Sequence, residues 1–244
     1  MCGRYLITTP VEGLRAVFGF RNPAPNLPPR YNVAPTQRVP VVRRTAAGRS
    51  LDLLRWGLVP SWAKDMSGAS RMINARGETV AEKPAYRAAF RARRCLVPAD
   101  GFYEWQTVGD NPPKHPFLFT MRDRTPFAFA GLWEAWRAPD GANVETFTIV
   151  NTAANDVMAK FHDRVPVVLA AEDYDAWLDP SADPRPLVKA PPGAWFAVTP
   201  VSSYVNDVRH DDEGCLAAPA ESETKPAEKP AAKRRGDERQ GSLF

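Results

Sequence analysis

Cys2 directly follows Met1, so removal of an initiator methionine leaves a free α-amine and a thiol on one residue. Their unperturbed pKa values, about 8 and about 8.5, make both partly nucleophilic near neutrality. Such a 1,2-aminothiol condenses with an aldehyde through its amine and then closes a five-membered thiazolidine through its sulfur. An internal cysteine cannot do this. Three polar strings elsewhere carry the other reactive side chains. In Ile73-Asn-Ala-Arg-Gly-Glu78, Asn74 and Arg76 are two apart and share one face of an extended segment. Asparagine can hold a reacting oxygen or amine, and arginine a phosphate; the plainer reading is a loop before a helix. In Ala99-Asp-Gly-Phe-Tyr-Glu-Trp105, Glu104 sits between two aromatics. Desolvation there would raise its pKa and suit acid–base work, whereas strict alternation would turn it to solvent. In Lys160-Phe-His-Asp-Arg-Val-Pro166, His162 is a proton carrier suited to neutral pH. The other two histidines, His115 and His210, read as loop residues.

The three cysteines, Cys2, Cys95 and Cys215, are far apart and form no CxxC, and no HxxxH or HExxH occurs. A disulfide framework is excluded, and no metal and no cofactor is expected. The net charge is only +4, with 24 Arg among the 32 basic residues. A local excess between Arg76 and Arg94 reads either as a nucleic-acid footprint or as a solvated helix face. Arg55-Trp-Gly-Leu-Val-Pro-Ser-Trp62 carries two tryptophans, and Trp62 beside arginine could stack an unpaired base or be core.

These groups need a scaffold. Short aromatic and β-branched runs predict strands at 94–98, 101–106, 116–120, 127–133, 145–150, 165–169 and 195–199. Helices are predicted from a Thr9 cap through Phe18, over 84–93, from a Thr152 cap through Lys160, and over 171–178. Tyr31-Asn-Val-Ala-Pro-Thr36 reads as a surface turn. The fold class is α+β: a single domain around a curved, barrel-like, mostly antiparallel β-sheet with a few peripheral helices. The domain spans 1–216, because all seven tryptophans precede 217. Residues 217–244, rich in charge, Ala and Pro, are expected to be a disordered tail. No apolar stretch suits a membrane helix and the N-terminus carries no secretory pattern, so a cytoplasmic protein is expected.

Taken together the strings are more specific than any one of them. Met-Cys-Gly-Arg-Tyr at 1–5, Tyr-Asn-Val-Ala-Pro at 31–35, Trp-Gly-Leu-Val-Pro at 56–60, and the three strings above make the chain resemble the SOS-response-associated peptidase family, also called abasic-site processing proteins. The resemblance covers the whole domain. It departs only slightly, with Val-Pro after His-Asp-Arg where Met-Pro is commoner. It implies a protein of the SOS and DNA-damage response that traps abasic sites in single-stranded DNA as a covalent thiazolidine, with an autopeptidase activity that exposes the cysteine. It also implies Cys2, Asn74, Glu104 and His162 as the active site. Glu104 and His162 would move protons and Asn74 would orient the amine or the sugar oxygen. Arg4 and Arg76, with Arg164 third, would clamp phosphates, and Trp62 would meet a base. A monomer, associated with the nucleoid when on DNA, is expected. Two other readings are an N-terminal-nucleophile amidohydrolase and a non-covalent single-strand-binding module.

Overall fold

A computed structural model describes residues 2–107 and 114–220. In chain order its elements are β1 (Tyr5–Ile7), α1 (Val11–Phe18), β2 (Arg30–Val33), β3 (Arg38–Thr45), β4 (Gly48–Trp56), β5 (Asn74–Arg76), α2 (Arg87–Ala92), β6 (Arg94–Ala99), β7 (Gly101–Thr107) and β8 (Lys114–Met121). Then follow β9 (Phe127–Arg137), β10 (Asn143–Ala153), β11 (Arg164–Pro166), β12 (Val168–Leu169), α3 (Tyr174–Leu178) and β13 (Phe196–Pro200).

Strands β10, β4, β3, β6 and β9 pair in that order, and β9 pairs back onto β10. The ring therefore closes into a five-stranded barrel with no free edge. Four of its contacts are antiparallel; β10 and β4 run parallel, with Thr146 opposite Arg55. The interior is filled by Trp56, Val97, Phe129 and Phe147, which the pairing puts on one face. Strand β5 adds to β10 in parallel, and β11 adds to it in antiparallel. A second, antiparallel sheet has the order β13-β8-β7-β1-β2. Phe102 joins the two layers: it stacks on Phe119 at 5.0 Å within its own sheet and meets Phe129 of the barrel edge-on at 5.8 Å. Such aromatic pairs add about 0.5–1.5 kcal/mol beyond the area they bury. This is the α+β, barrel-like, mostly antiparallel architecture that the sequence predicts.

The outer face of β7-β1-β2 is covered by residues 201–217, which form a strap of two short 3-10 turns. Val201, Val205 and Cys215 of the strap pack on Leu6 and Tyr103. Asn32 on β2, fully buried, is its anchor: Nδ2 donates to the carbonyls of Val205, Asp207 and His210 at 2.8–3.0 Å. The expected loop at 31–36 is thus partly strand, and its asparagine does structural work.

Several local expectations are corrected. Thr9 does not cap α1, because its hydroxyl donates to Asp100 at 2.6 Å; Gly19, in the left-handed region at φ +68°, ends the helix. The helix expected from Thr152 is absent. Thr152 and Ala153 belong to β10 and pair with Val165 and Arg164, and only a 3-10 turn (Met158–Lys160) follows. A long-range ladder has overridden the local cap signal. Helix α2 is shorter than 84–93, and α3 is preceded by a 3-10 turn over Ala171–Asp173. Most of the expected tail, from 221 onward, lies outside the described residues. No helix among the described residues is long and apolar enough to cross a membrane.

Candidate functional site

Cys2 lies just ahead of β1, and it is completely buried. Strand β1 fixes its place: Tyr5 pairs with Phe102 of β7, and the Tyr103 N–H donates to the Arg4 carbonyl at 3.0 Å. Asn74 holds it from the other side. Strand β5 runs along β10 with Asn74 opposite Ile149, and Asn74 Nδ2 donates to the Cys2 carbonyl at 2.8 Å. The other half of that amide, Oδ1, is buried and accepts no hydrogen bond among the described residues. Burial pushes the Cys2 thiol far above its ordinary pKa, and the nearby Glu104 pushes the same way. The resting sulfur is therefore a thiol rather than a thiolate.

Glu104 is only 4 % exposed, so alternation does not turn it to solvent. Both faces of β7 are covered. Tyr103 and Trp105 face the strap, while Glu104 shares the face of Phe102, toward the main core. Burial raises the Glu104 pKa; the amino terminus, His162 and Lys114 pull it back in part.

His162 is carried to this carboxylate by its neighbours. Phe161 packs edge-on against Phe117 and Phe119 of β8 at 4.9 and 5.1 Å, and Gln106 Nε2 donates to the Lys160 carbonyl at 3.1 Å. His162 Nδ1 receives the Arg164 backbone N–H at 3.0 Å and also lies 2.7 Å from Asp163 Oδ1. The two contacts ask for opposite tautomers. The backbone donor is fixed, whereas the Asp163 side chain is 84 % exposed and free to turn, so we assign Nδ1 as acceptor and Nε2 as the protonated nitrogen.

Cys2, Asn74, Glu104 and His162 thus meet at one place, although they come from four separate segments. The four expected strand-contact residues differ among themselves. Arg76, at the end of β5, and Trp62, 67 % exposed, face solvent. Arg4 is half-buried: its guanidinium donates to Asn32 Oδ1 at 2.8 Å and to the carbonyls of Val205 and Asn206 at 3.0 and 3.3 Å. That uses three of its five N–H groups. Arg164 forms a bidentate pair with Glu78 at 2.8 and 2.7 Å and also grips Asn151 Oδ1. The pair holds the Glu78 carboxyl down to about 2. It ties the Asn74–Glu78 string to the His162–Arg164 string.

Sequence reasoning missed three supporting residues. Tyr86 donates its hydroxyl to the Asn74 carbonyl at 3.4 Å, and Asn32 and Glu78 act as described. Nothing in their local spacing marks them, because their partners lie far away in the chain. The basic cluster at 76–94 also divides. Arg94 is buried and donates to the carbonyls of Trp177, Phe90 and Asp179, and Arg93 pairs with Glu134 at 2.6 Å. Trp56 is core, its Nε1 donating to the Ile73 carbonyl. Among the described residues no group of three His, Cys, Asp or Glu side chains is arranged to hold a metal ion.

A sequence model described as SOS response associated peptidase (SRAP) matches residues 1–208. Abasic site processing protein YoqW of Bacillus subtilis is 40 % identical over 187 residues, which are 75 % of this chain and 83 % of that one. Abasic site processing protein HMCES of Gallus gallus is 31 % identical over 222 residues, 77 % of this chain and 66 % of that one. A crystal structure of a Bacteroides thetaiotaomicron protein superposes with a TM-score of 0.81 at 24 % identity, covering 89 % of this chain and all of that one. The motifs, the barrel and the family match agree, and the chain belongs to the SOS response associated peptidase (SRAP) family.

Proposed function

We propose that the protein processes abasic sites in single-stranded DNA by capturing them covalently on Cys2. Family membership supports the substrate class, since the relatives above are named abasic site processing proteins. The observation that carries the chemistry is the Asn74 amide. Its nitrogen fixes the Cys2 backbone, and its oxygen is a buried acceptor with no partner among the described residues, on the side chain that holds the residue whose α-amine would be freed. A buried acceptor of this kind costs about 1–3 kcal/mol unless something fills it.

The steps balance. Hydrolysis of the Met1–Cys2 peptide, the autopeptidase step, consumes one water and leaves a free amine on Cys2. That amine adds to the C1′ aldehyde of the ring-opened sugar to give a carbinolamine, which loses water to an imine. The Cys2 thiol adds to the imine carbon while its proton passes to the nitrogen, closing the thiazolidine. The thiol needs a base at that moment. Glu104 takes and returns the proton, and the burial that raises its pKa favours a carboxyl able to carry it. His162, with its proton on Nε2, serves the sugar oxygen. Asn74 Oδ1 orients the amine. Arg76 takes a flanking phosphate, Arg4 a second through its two remaining N–H groups, and Arg164 a third through the one N–H that Glu78 and Asn151 leave free. Trp62 offers a face for an unpaired base.

The test is incubation with a single strand bearing one abasic site. Matured wild type gives an adduct that survives heat and denaturant, with the mass of protein plus DNA minus one water. Cys2→Ser gives none, although borohydride still traps its imine. A stable adduct at normal yield from Cys2→Ser would overturn the thiazolidine. Absence of any adduct from wild type would favour the amidohydrolase or the non-covalent module.

A further inference from the structure

With Arg93 and Arg94 committed to internal partners, the positive charge that remains between residues 76 and 91 is concentrated on α2. Arg87 and Arg91 stand one turn apart on the same face of this helix, both exposed. Lys83, also exposed, precedes Arg87 by four residues. Like charges at this spacing repel, and a bound anion would relieve that repulsion. Neither Arg87 nor Arg91 is matched by an acidic side chain among the described residues. Glu78, the acid nearest in sequence to Arg76, is spent on Arg164.

These arginines line a groove of about 780 Å³ whose opposite wall is the 180–185 loop. Arg185 on that wall pairs with Asp183 at 2.9 Å, so the lining carries two uncompensated positive charges. Its floor includes Phe90, Pro180 and Pro184. The groove adjoins the candidate site at two points. Tyr86, the residue before α2, donates to Asn74, and Val188, just past the 180–185 loop, lies so close to Gly77 that a Cβ there would stand 2.3 Å from its Cγ1. Gly77 follows Arg76.

We infer that this groove carries the sugar–phosphate backbone of the strand that flanks the reacting nucleotide, with Arg87 and Arg91 on phosphates. The occupant follows from charge. A groove with unpaired guanidinium groups on one wall and an apolar floor suits a polyanion with an apolar sugar between its charges. The chain's own residues 217–244 do not supply that charge, since they hold six basic and five acidic side chains. The inference rests on the proposed function for the identity of the strand, and it extends the contact beyond the residues around Cys2. Because phosphate contacts carry no base information, the groove adds affinity and an exit direction, not sequence preference.

The experiment uses the full chain and a fluorescent 20-nucleotide single strand without an abasic site, titrated at several salt concentrations. Arg87→Gln/Arg91→Gln should lower the salt slope by about 1.4, two contacts at about 0.7 each, and weaken binding about tenfold or more at low salt. The charge-reversed pair Arg87→Glu/Arg91→Glu should weaken it further. Both pairs should lose less in cross-linking an abasic trinucleotide than in cross-linking an abasic 20-nucleotide strand, because the shorter strand offers fewer phosphates to α2. An unchanged slope and affinity in both double variants would overturn the inference. So would wild-type binding of poly-glutamate in preference to the strand, lost in the variants, which would assign the groove to an acidic protein. The binding arm contains no abasic site, so a wild type that binds through α2 yet forms no adduct would count against the covalent chemistry alone.

Discussion

Asn74 and Cys2 are 72 positions apart, yet the Asn74 side-chain nitrogen lies 2.8 Å from the Cys2 carbonyl oxygen. The bond fixes the backbone of the residue that would carry the nucleophiles, and it costs the fold little. Asn74→Ala should therefore separate activity from stability. One lost hydrogen bond is worth about 1 kcal/mol, a Tm shift of roughly 2–4 °C at this size. Misplacement of a reacting group can slow a step about 10²-fold. Single-turnover adduct formation should fall by that order while the melting curve barely moves. A parallel loss of both would make Asn74 structural.

Glu104 should show the opposite balance. Its folded-state pKa lies above the ordinary carboxylate value because burial disfavours the charge. As pH rises from that ordinary value, the unfolded chain gives up its proton first, and the folded state is progressively penalised until the folded pKa is passed. Glu104→Gln removes the penalty. The variant should gain stability relative to wild type as pH rises above the ordinary carboxylate value, with the difference vanishing below it. Adduct formation should meanwhile slow by about 10²–10⁴. Thermal melts across that value, beside single-turnover rates, check both.

The Glu78–Arg164 pair titrates the other way. Glu78 is held down to about 2, so its contribution is complete above the ordinary carboxylate range and is lost as pH falls toward 2. The carboxylate is about half exposed, so the effect on stability is small. Its effect on the site should be larger, because the pair joins the Asn74 and His162 strings. Glu78→Gln should slow adduct formation several-fold at pH 7, and its melting curve should converge on that of wild type as pH falls through about 2.

Arg4 anchors the strap and keeps two N–H groups free for the phosphate proposed above. Arg4→Ala leaves the carbonyls of Val205 and Asn206 and the Asn32 oxygen without it, at a cost of about 3 kcal/mol, or a Tm lower by roughly 6–12 °C. Arg4→Lys should recover only part of this, since one ammonium cannot span three acceptors in the fork geometry. Arg76→Ala, exposed, should leave the Tm unchanged and lower the single-strand salt slope by about 0.7. Equal melting behaviour of Arg4→Ala and Arg76→Ala would refute this division.

Gly57 gives a purely structural test. It stands at φ +112°, and a Cβ would lie 2.6 Å from the Ala69 carbonyl oxygen. Gly57→Ala combines backbone strain with a clash against backbone, together about 3 kcal/mol. Circular-dichroism melts should register a loss of roughly 6–12 °C.

Three strands of the second sheet, β7, β8 and β13, and those of the barrel at 94–98, 127–133 and 145–150, were legible because aromatic and β-branched residues cluster there between turn residues; β1 and β2 were not. The hairpin of β3 and β4 was not. Pro40 interrupts one strand and arginines crowd both, so neither reads as a strand in isolation. Closure of the barrel was also hidden, since the β10–β4 pairing is parallel and links residues about 90 positions apart. Within the candidate site the residue types were visible and their directions were not. Glu104 could have faced either way until the strap was seen to cover the second face of β7. The arginines of 76–94 looked equivalent, and only their partners separate buried Arg94 from exposed Arg87 and Arg91.

The bond from Arg4 to the Val205 carbonyl spans 201 residues. A chain emerging from the ribosome presents its first residues long before the strap exists, and contacts of such separation form last. The segment of Cys2 and Arg4 is therefore made about 200 residues before the strap that locks it in place. In the proposed reaction the Cys2 aminothiol would gain its orientation only when nearly the whole domain has been synthesised, so ring closure on an aldehyde would be withheld from the unfinished chain.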